Sequence, residues 1–276
     1  MSARVKINKL ICTILLGAVA LLFALPLVWM ILASVKHSNE VFSQNWFPAA
    51  EWKWNNYEIV WTDSTVSLAK SYMNSIMIVI LGTGGMLLLS SMCAYGFAKV
   101  NFKGKNIIFV MFMAAMMIPN QVTIIPRYML FFEIDLYNTL WALILPAWFN
   151  VTTIFLLRQF YLGLPDDLTE AAKMDGAGHF RIFLQILLPL TKPAMVSAGI
   201  LSFIHLWNDY LSALIFLVKK NLYTVAQVVR YWLADNDQPY ELVMATATSI
   251  IVPVVILFIF CQKHFVEGIA TSGVKG

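Results

Sequence analysis

Five stretches of the chain run without a single charged side chain, at 10–35, 72–98, 106–126, 136–157 and 242–262, and a sixth, 193–218, is interrupted only by His205 and Asp209. At about 1.5 Å per helical residue, roughly twenty residues cross a ~30 Å hydrocarbon core, so each stretch is long enough to span a membrane. Only a helix satisfies the backbone of such a stretch in lipid. A barrel strand would need about ten residues with period-two alternation, which these runs lack. The expected fold is therefore all-α, a polytopic membrane protein of six transmembrane helices forming one domain over 1–276. Composition agrees, because 60% apolar and 12% charged residues and a mean hydropathy of +0.73 exceed what a soluble core can hide.

The formal charge of +4 is too small to suggest nucleic acid as a partner, and the basic residues are better explained by topology. With the N-terminus inside, the interior segments are the N-terminus, the turn at Lys99, Lys103 and Lys105, the loop 158–192 and the tail from Lys263. They carry twelve of the nineteen Lys and Arg. The positive-inside rule then puts both termini and the loop 158–192 in the cytoplasm. Arg4, Lys6 and Lys9 ahead of an apolar run also resemble a signal peptide, but 26 residues are too many and no small-x-small site follows, so a retained anchor is expected. Cys12, Cys93 and Cys261 lie inside apolar runs with no metal-ligand or disulfide spacing, and no metal site is expected.

Gly82, Gly84 and Gly85 in the second span, Pro119 in the third, Pro146 in the fourth and Pro253 in the sixth allow either kinks or close helix packing. His205, Asn208 and Asp209 fall in the fifth span. An ionisable group there costs about 2.5–3.5 kcal/mol unless it faces protein or water, so these residues either line a polar path or are structural, with Asp209 paired to another helix or near the outer interface. Four residues apart, His205 and Asp209 could share a helix face, which would suit ion coupling or acid–base chemistry. The outer segment 41–63 holds Trp46, Phe47, Trp52, Trp54, Tyr57 and Trp61, an aromatic set suited to interfacial anchoring or docking of another protein.

The stretch 164–194 reads LPDDLTEAAKMDGAGHFRIFLQILLPLTKPA. Pro165, Asp166 and Asp167 suggest a helix start, with Asp167 as cap and Glu170 reaching back. A helix of about two turns would end near Asp175, with Gly176 and Gly178 at positive φ, and a second would put Phe180, Phe183, Ile186 and Leu187 on its apolar side. Ala171 and Ala172 would give the first helix a smooth face for a partner's groove; the alternative is an interfacial helix resting on lipid headgroups.

Glu170-Ala171-Ala172, Gly176 after three further residues, then Ile186, Leu188 and Pro189 resemble the EAA loop of ABC importer permeases. The resemblance extends over most of the chain, toward the maltose-type second permease subunit of the carbohydrate group. It is carried by Asn55-Asn56-Tyr57, Asn74-Ser75, Ala94-Tyr95-Gly96-Phe97-Ala98, Ile118-Pro119, Ile125-Pro126, Trp207-Asn208-Asp209 and the ending Gly273-Val274-Lys275-Gly276. It implies a non-catalytic subunit in a bacterial plasma membrane, paired with a second permease, two ATPase subunits and an extracytoplasmic sugar-binding protein. The ATPase would grip the helix 170–178 through Glu170, Ala171, Ala172, Asp175, Gly176 and Gly178, and the tail 272–276 would also reach it. ATP and Mg would sit on the ATPase, leaving this chain without a cofactor, and Asn208, Asp209 and His205 would line the path.

Overall fold

The computed structural model describes residues 3–48, 51–234 and 237–273; among these the protein is helical throughout, with no strand. The chain packs as two compact units, Met1–Ala69 with Val228–Val252, and Lys70–Gln227 with Pro253–Gly276. Among the described residues, four helical stretches are long and apolar enough to cross a membrane, and six if each of two sharply bent pairs counts as one crossing.

In the first unit, α1 (Ala3–Ala33) exposes large apolar side chains from Leu10 to Ile31, a surface that only lipid or another protein can cover. Beyond it the chain turns inward at Ser34–Lys36. The Asn56 side chain donates to the carbonyls of Ser34 (2.9 Å) and Lys36 (3.0 Å), and the hydroxyls of Ser34 and Tyr57 share a 2.7 Å bond. Asn55-Asn56-Tyr57 is thus a clasp that pins the start of α2 (Asn55–Thr62) to the end of α1. Trp46, Phe47, Trp52 and Trp54 are exposed, with Trp52 stacked on Trp54.

In the second unit, α3 (Leu68–Lys99) runs unbroken past its glycines. These serve close packing: a Cβ on Gly82 would lie 2.8 Å from Leu206, and one on Gly85 would collide with the Trp148 indole, while Gly84 faces open space. At the start of α3, Asn74 donates to the carbonyls of Asn221 and Tyr223, and Ser75 accepts from the Val225 amide. That accounts for the pair Asn74-Ser75 as an anchor for a returning loop.

The expected third span is not one straight helix. α4 (Lys105–Met116) and α5 (Asn120–Glu133) meet at 96°, because Pro119 has no N–H to continue the ladder and sits extended as the N-cap of α5. The fourth begins later than expected, as α6 (Trp141–Ala147) and α7 (Val151–Leu162), the latter capped by Asn150 accepting from the Thr153 amide at 2.8 Å. Residues ahead of α6 are held in a turn by Asn138, at φ 59°, whose side chain accepts from the amides of Val218 and Lys219.

α8 (Asp167–Met174) and α9 (His179–Ile182) follow, then a π turn at Phe183–Leu187 and α10 (Leu188–Leu190). The fifth expected span is α11 (Lys192–Trp207), a break, and α12 (Tyr210–Phe216). α13 (Val225–Leu233) and α14 (Tyr240–Gly273) complete the chain; α14 passes Pro253 without a break. Residues 274–276, to which the resemblance gives an ATPase contact, lie outside the described residues.

Candidate coupling site

The loop between α7 and α11 is built on a buried core. Ala94, Tyr95 and Phe97 from α3, Ile154, Leu157 and Tyr161 from α7, and Ile182, Phe183 and Leu187 beyond α8 pack together. α8 lies on this core by Thr169 and Ala172, which are buried, three residues apart on one face. Glu170, Ala171, Lys173 and Met174 turn outward, with Met174 89% exposed. The Ala pair is thereby split. Ala172 packs closely against its own chain, and only Ala171 is available to a partner.

Asp167 does not cap. Asp166 occupies the N-cap position without a side-chain cap; its carboxylate is drawn instead to Lys99, 2.6 Å away. The Lys99 ammonium also donates to the Leu164 carbonyl at 2.7 Å. This side chain is nearly buried while Asp166 is exposed, and the hydrogen bond and charge of Lys99 hold the Asp166 carboxyl below its usual range.

The helix ends as the sequence suggests, in a Schellman turn. The Ala177 amide reaches back to the Ala172 carbonyl and the Gly176 amide to that of Lys173, with Gly176 at φ 77°. Gly178 departs from expectation: at φ −72°, ψ 162° it is extended and serves as N-cap of α9. There the Tyr95 hydroxyl meets His179 Nδ1 at 3.1 Å. Both ends of the exposed segment are therefore fastened to the last turns of α3, at Lys99 and at Tyr95.

Beyond α9 the apolar face also differs from the expected one. Phe180 is exposed and Ile182 buried, because the Leu188 amide bonds to the Phe183 carbonyl, five residues back. This wide turn brings Ile182, Phe183 and Leu187 to one side, and it immediately precedes Pro189, whose ring would crowd the carbonyl four residues earlier in a regular helix. At Thr191 the chain bends by 76° between His179–Leu190 and α11, where Pro193 again lacks an N–H.

The residues expected in a path lie elsewhere in this unit. His205 and Asn208 are exposed, and Asp209 is half-buried. α11 stops at Trp207, so His205 and Asp209 do not share a helix face. Asn208 donates to the Ile204 carbonyl, while Asp209 caps α12 through the Ser212 amide at 3.0 Å. No group of three His, Cys, Asp or Glu residues suited to a metal occurs among the described residues.

Residues 86–271 match the model of the binding-protein-dependent transport system inner membrane component family, which takes in the whole of this loop. The chain belongs to that family. This permease is 32% identical to the arabinooligosaccharides transport system permease protein AraQ of Bacillus subtilis, over 100% of this chain and 99% of that one. It is 30% identical, with the same coverage, to the melibiose/raffinose/stachyose import permease protein MelC of the same organism. Its fold matches a chain in the crystal structure of a bacterial ABC transporter that imports the acidic polysaccharide alginate, with a TM-score of 0.84 and 22% identity over 96% of this chain and 99% of that one. The relatives are transport permeases, and the protein is a multi-pass membrane permease of an ABC importer, not an enzyme.

The sequence does not show that Lys99 and Tyr95 fasten this loop, nor that Asp166, part of the expected helix start, faces Lys99. Tyr95 lies in the Ala94–Ala98 stretch and Lys99 closes an uncharged run, but neither signal names a partner 84 or 67 residues away.

Proposed function

We propose that this permease, with a second permease subunit, forms the path for an oligosaccharide delivered by an extracytoplasmic binding protein, and that the segment 170–178 docks a cytoplasmic ATPase subunit. The observation that carries this reading is the division of α8 into a face packed on its own core and a face with Glu170, Ala171 and Met174 turned out. A helix of eight residues is too short to span and marginal alone; seated this way, it is a stiff lever between a partner and the spans. Names of the full-length relatives, for arabinooligosaccharides and for melibiose, raffinose and stachyose, favour sugar cargo.

In this reading two ATPase subunits bind ATP and Mg, and their closure pushes α8. The push passes through Lys99 and Tyr95 to α3 and through the π turn to α11, moving the spans from inward-open to outward-open. Both termini and the loop face the cytoplasm. Glu170, exposed and without an ion-pair partner among the described residues, would meet a basic group on the ATPase.

The test is the assembled complex in liposomes. A side chain at positive φ costs about 1–2 kcal/mol, and at Gly176 nothing crowds a new Cβ, so Gly176→Val should distort the lever without disturbing the core. Gly176→Val and Glu170→Ala should each lose most ligand-stimulated ATPase activity while inserting normally. Unchanged ATP-driven uptake by Gly176→Val would overturn the docking assignment.

A further inference from the structure

On the surface of the second unit, the turn after α3 and the flank of α7 enclose an open groove of about 520 Å³, lined by Asn101, Phe102, Lys105, Asn106, Ile107 and Arg158. Its two charged residues have the same sign. Lys105 and Arg158 lie close enough to repel, no carboxylate lines the groove, and neither cation has an ion-pair partner among the described residues.

Part of their hydrogen-bonding capacity is spent on the end of α3. Lys105 donates to the carbonyls of Ala98 and Val100, Arg158 Nε donates to Phe97, and the guanidinium rests 4.0 Å over the Phe109 ring. This leaves the third ammonium proton of Lys105 and the terminal amino groups of Arg158. α4 also starts here, after Gly104 without a side-chain cap, so its first amides add positive potential at the same point.

We propose that this groove holds the phosphodiester headgroup of an anionic phospholipid. A guanidinium fork and an ammonium set around one volume match the paired oxygens of a phosphate monoester or diester. A lipid is favoured over free phosphate by what adjoins the cations. Ile107, Val110 and Met111 are exposed by about two thirds and stand on one face of α4 at i, i+3 and i+4, so an apolar track leads away from the headgroup position. Lys105 opens an uncharged run, the place where a basic side chain meets the membrane surface.

The experiment uses the full-length permease in its assembled complex, with retained lipid counted by native mass spectrometry. Phosphatidylglycerol, phosphatidylcholine and inorganic phosphate are titrated separately. Wild type should retain phosphatidylglycerol over phosphatidylcholine, and Lys105→Gln or Arg158→Gln should each lower that preference about fivefold, the worth of one basic side chain at an anionic surface. Both substitutions also remove caps from α3. Asn106→Asp keeps the caps, suits a helix start, and should lower the preference by putting a carboxylate in the groove. Lys103→Gln, on an exposed residue outside the lining, should leave it unchanged. Equal retention of the two lipids by wild type would overturn the proposal. So would a loss in Lys103→Gln matching that in Lys105→Gln with Asn106→Asp silent, since that pattern means diffuse attraction. Displacement of phosphatidylglycerol by inorganic phosphate would reassign the groove to a free anion and overturn the lipid occupant.

Discussion

At Gly85 an added methyl group would land on the indole of Trp148, whose nitrogen donates to the Leu81 carbonyl at 2.9 Å. Overpacking of this kind costs about 1–3 kcal/mol, so Gly85→Ala should lower the thermal unfolding midpoint of the purified permease. In a Trp148→Ala background the same change should cost much less, because the two residues share one contact; an equal cost in both backgrounds would mean that the glycine matters for another reason. Asp166 gives a prediction in pH. Its carboxyl is held below the ordinary value of 3.8 by Lys99, so the tether contributes fully above that value and is lost as pH falls through the lowered one. Corrected for intrinsic rates, hydrogen-exchange protection of the α8 amides should stay level from pH 7 to 5. A decline within that window would show that Asp166 is not what holds the helix start.

Among the elements, the existence of the helices was legible and their breaks were not. Hydrocarbon thickness sets a minimum length for any uncharged run, so composition alone locates α1, α3 and α14. A bend depends on who takes the freed carbonyls, which neighbours decide. Pro119 and Pro253 look alike in sequence, yet one stands at a 96° bend and the other inside an unbroken helix. In the loop between α7 and α11 the pattern Glu-Ala-Ala to Leu-Pro marked the segment and its Schellman glycine. It could not foresee that Asp166 faces Lys99 or that a π turn shifts the buried face by one position. That shift is testable. Phe183, 2% exposed, and Phe180, 65% exposed, share one apolar face in a regular helix reading. Phe183→Ala should destabilise by about 3–5 kcal/mol and Phe180→Ala by no more than about 0.5 kcal/mol, ranked by thermal denaturation in detergent; similar losses would restore the regular helix.

For the whole molecule, the decisive quantity is the sidedness of the loop, because a lever can be worked by an ATPase only where ATP is. The balance of Lys and Arg predicts that Met174 lies inside and Lys219 outside, and both side chains are exposed, so either can report. Cys12, Cys93 and Cys261 are free thiols and would first be replaced by Ser or Ala. Met174→Cys should then react with a membrane-impermeant maleimide only in inside-out vesicles, and Lys219→Cys only in intact cells. Neither substitution removes a cytoplasmic charge, so the topology being measured is not perturbed by the measurement. If Met174→Cys were labelled from outside, α8 would face the side without nucleotide, and the carboxylate of Glu170 could not meet an ATPase at all. The expected labelling would put the outward face of α8, from Glu170 to Met174, on the side where a nucleotide-driven motion can reach it.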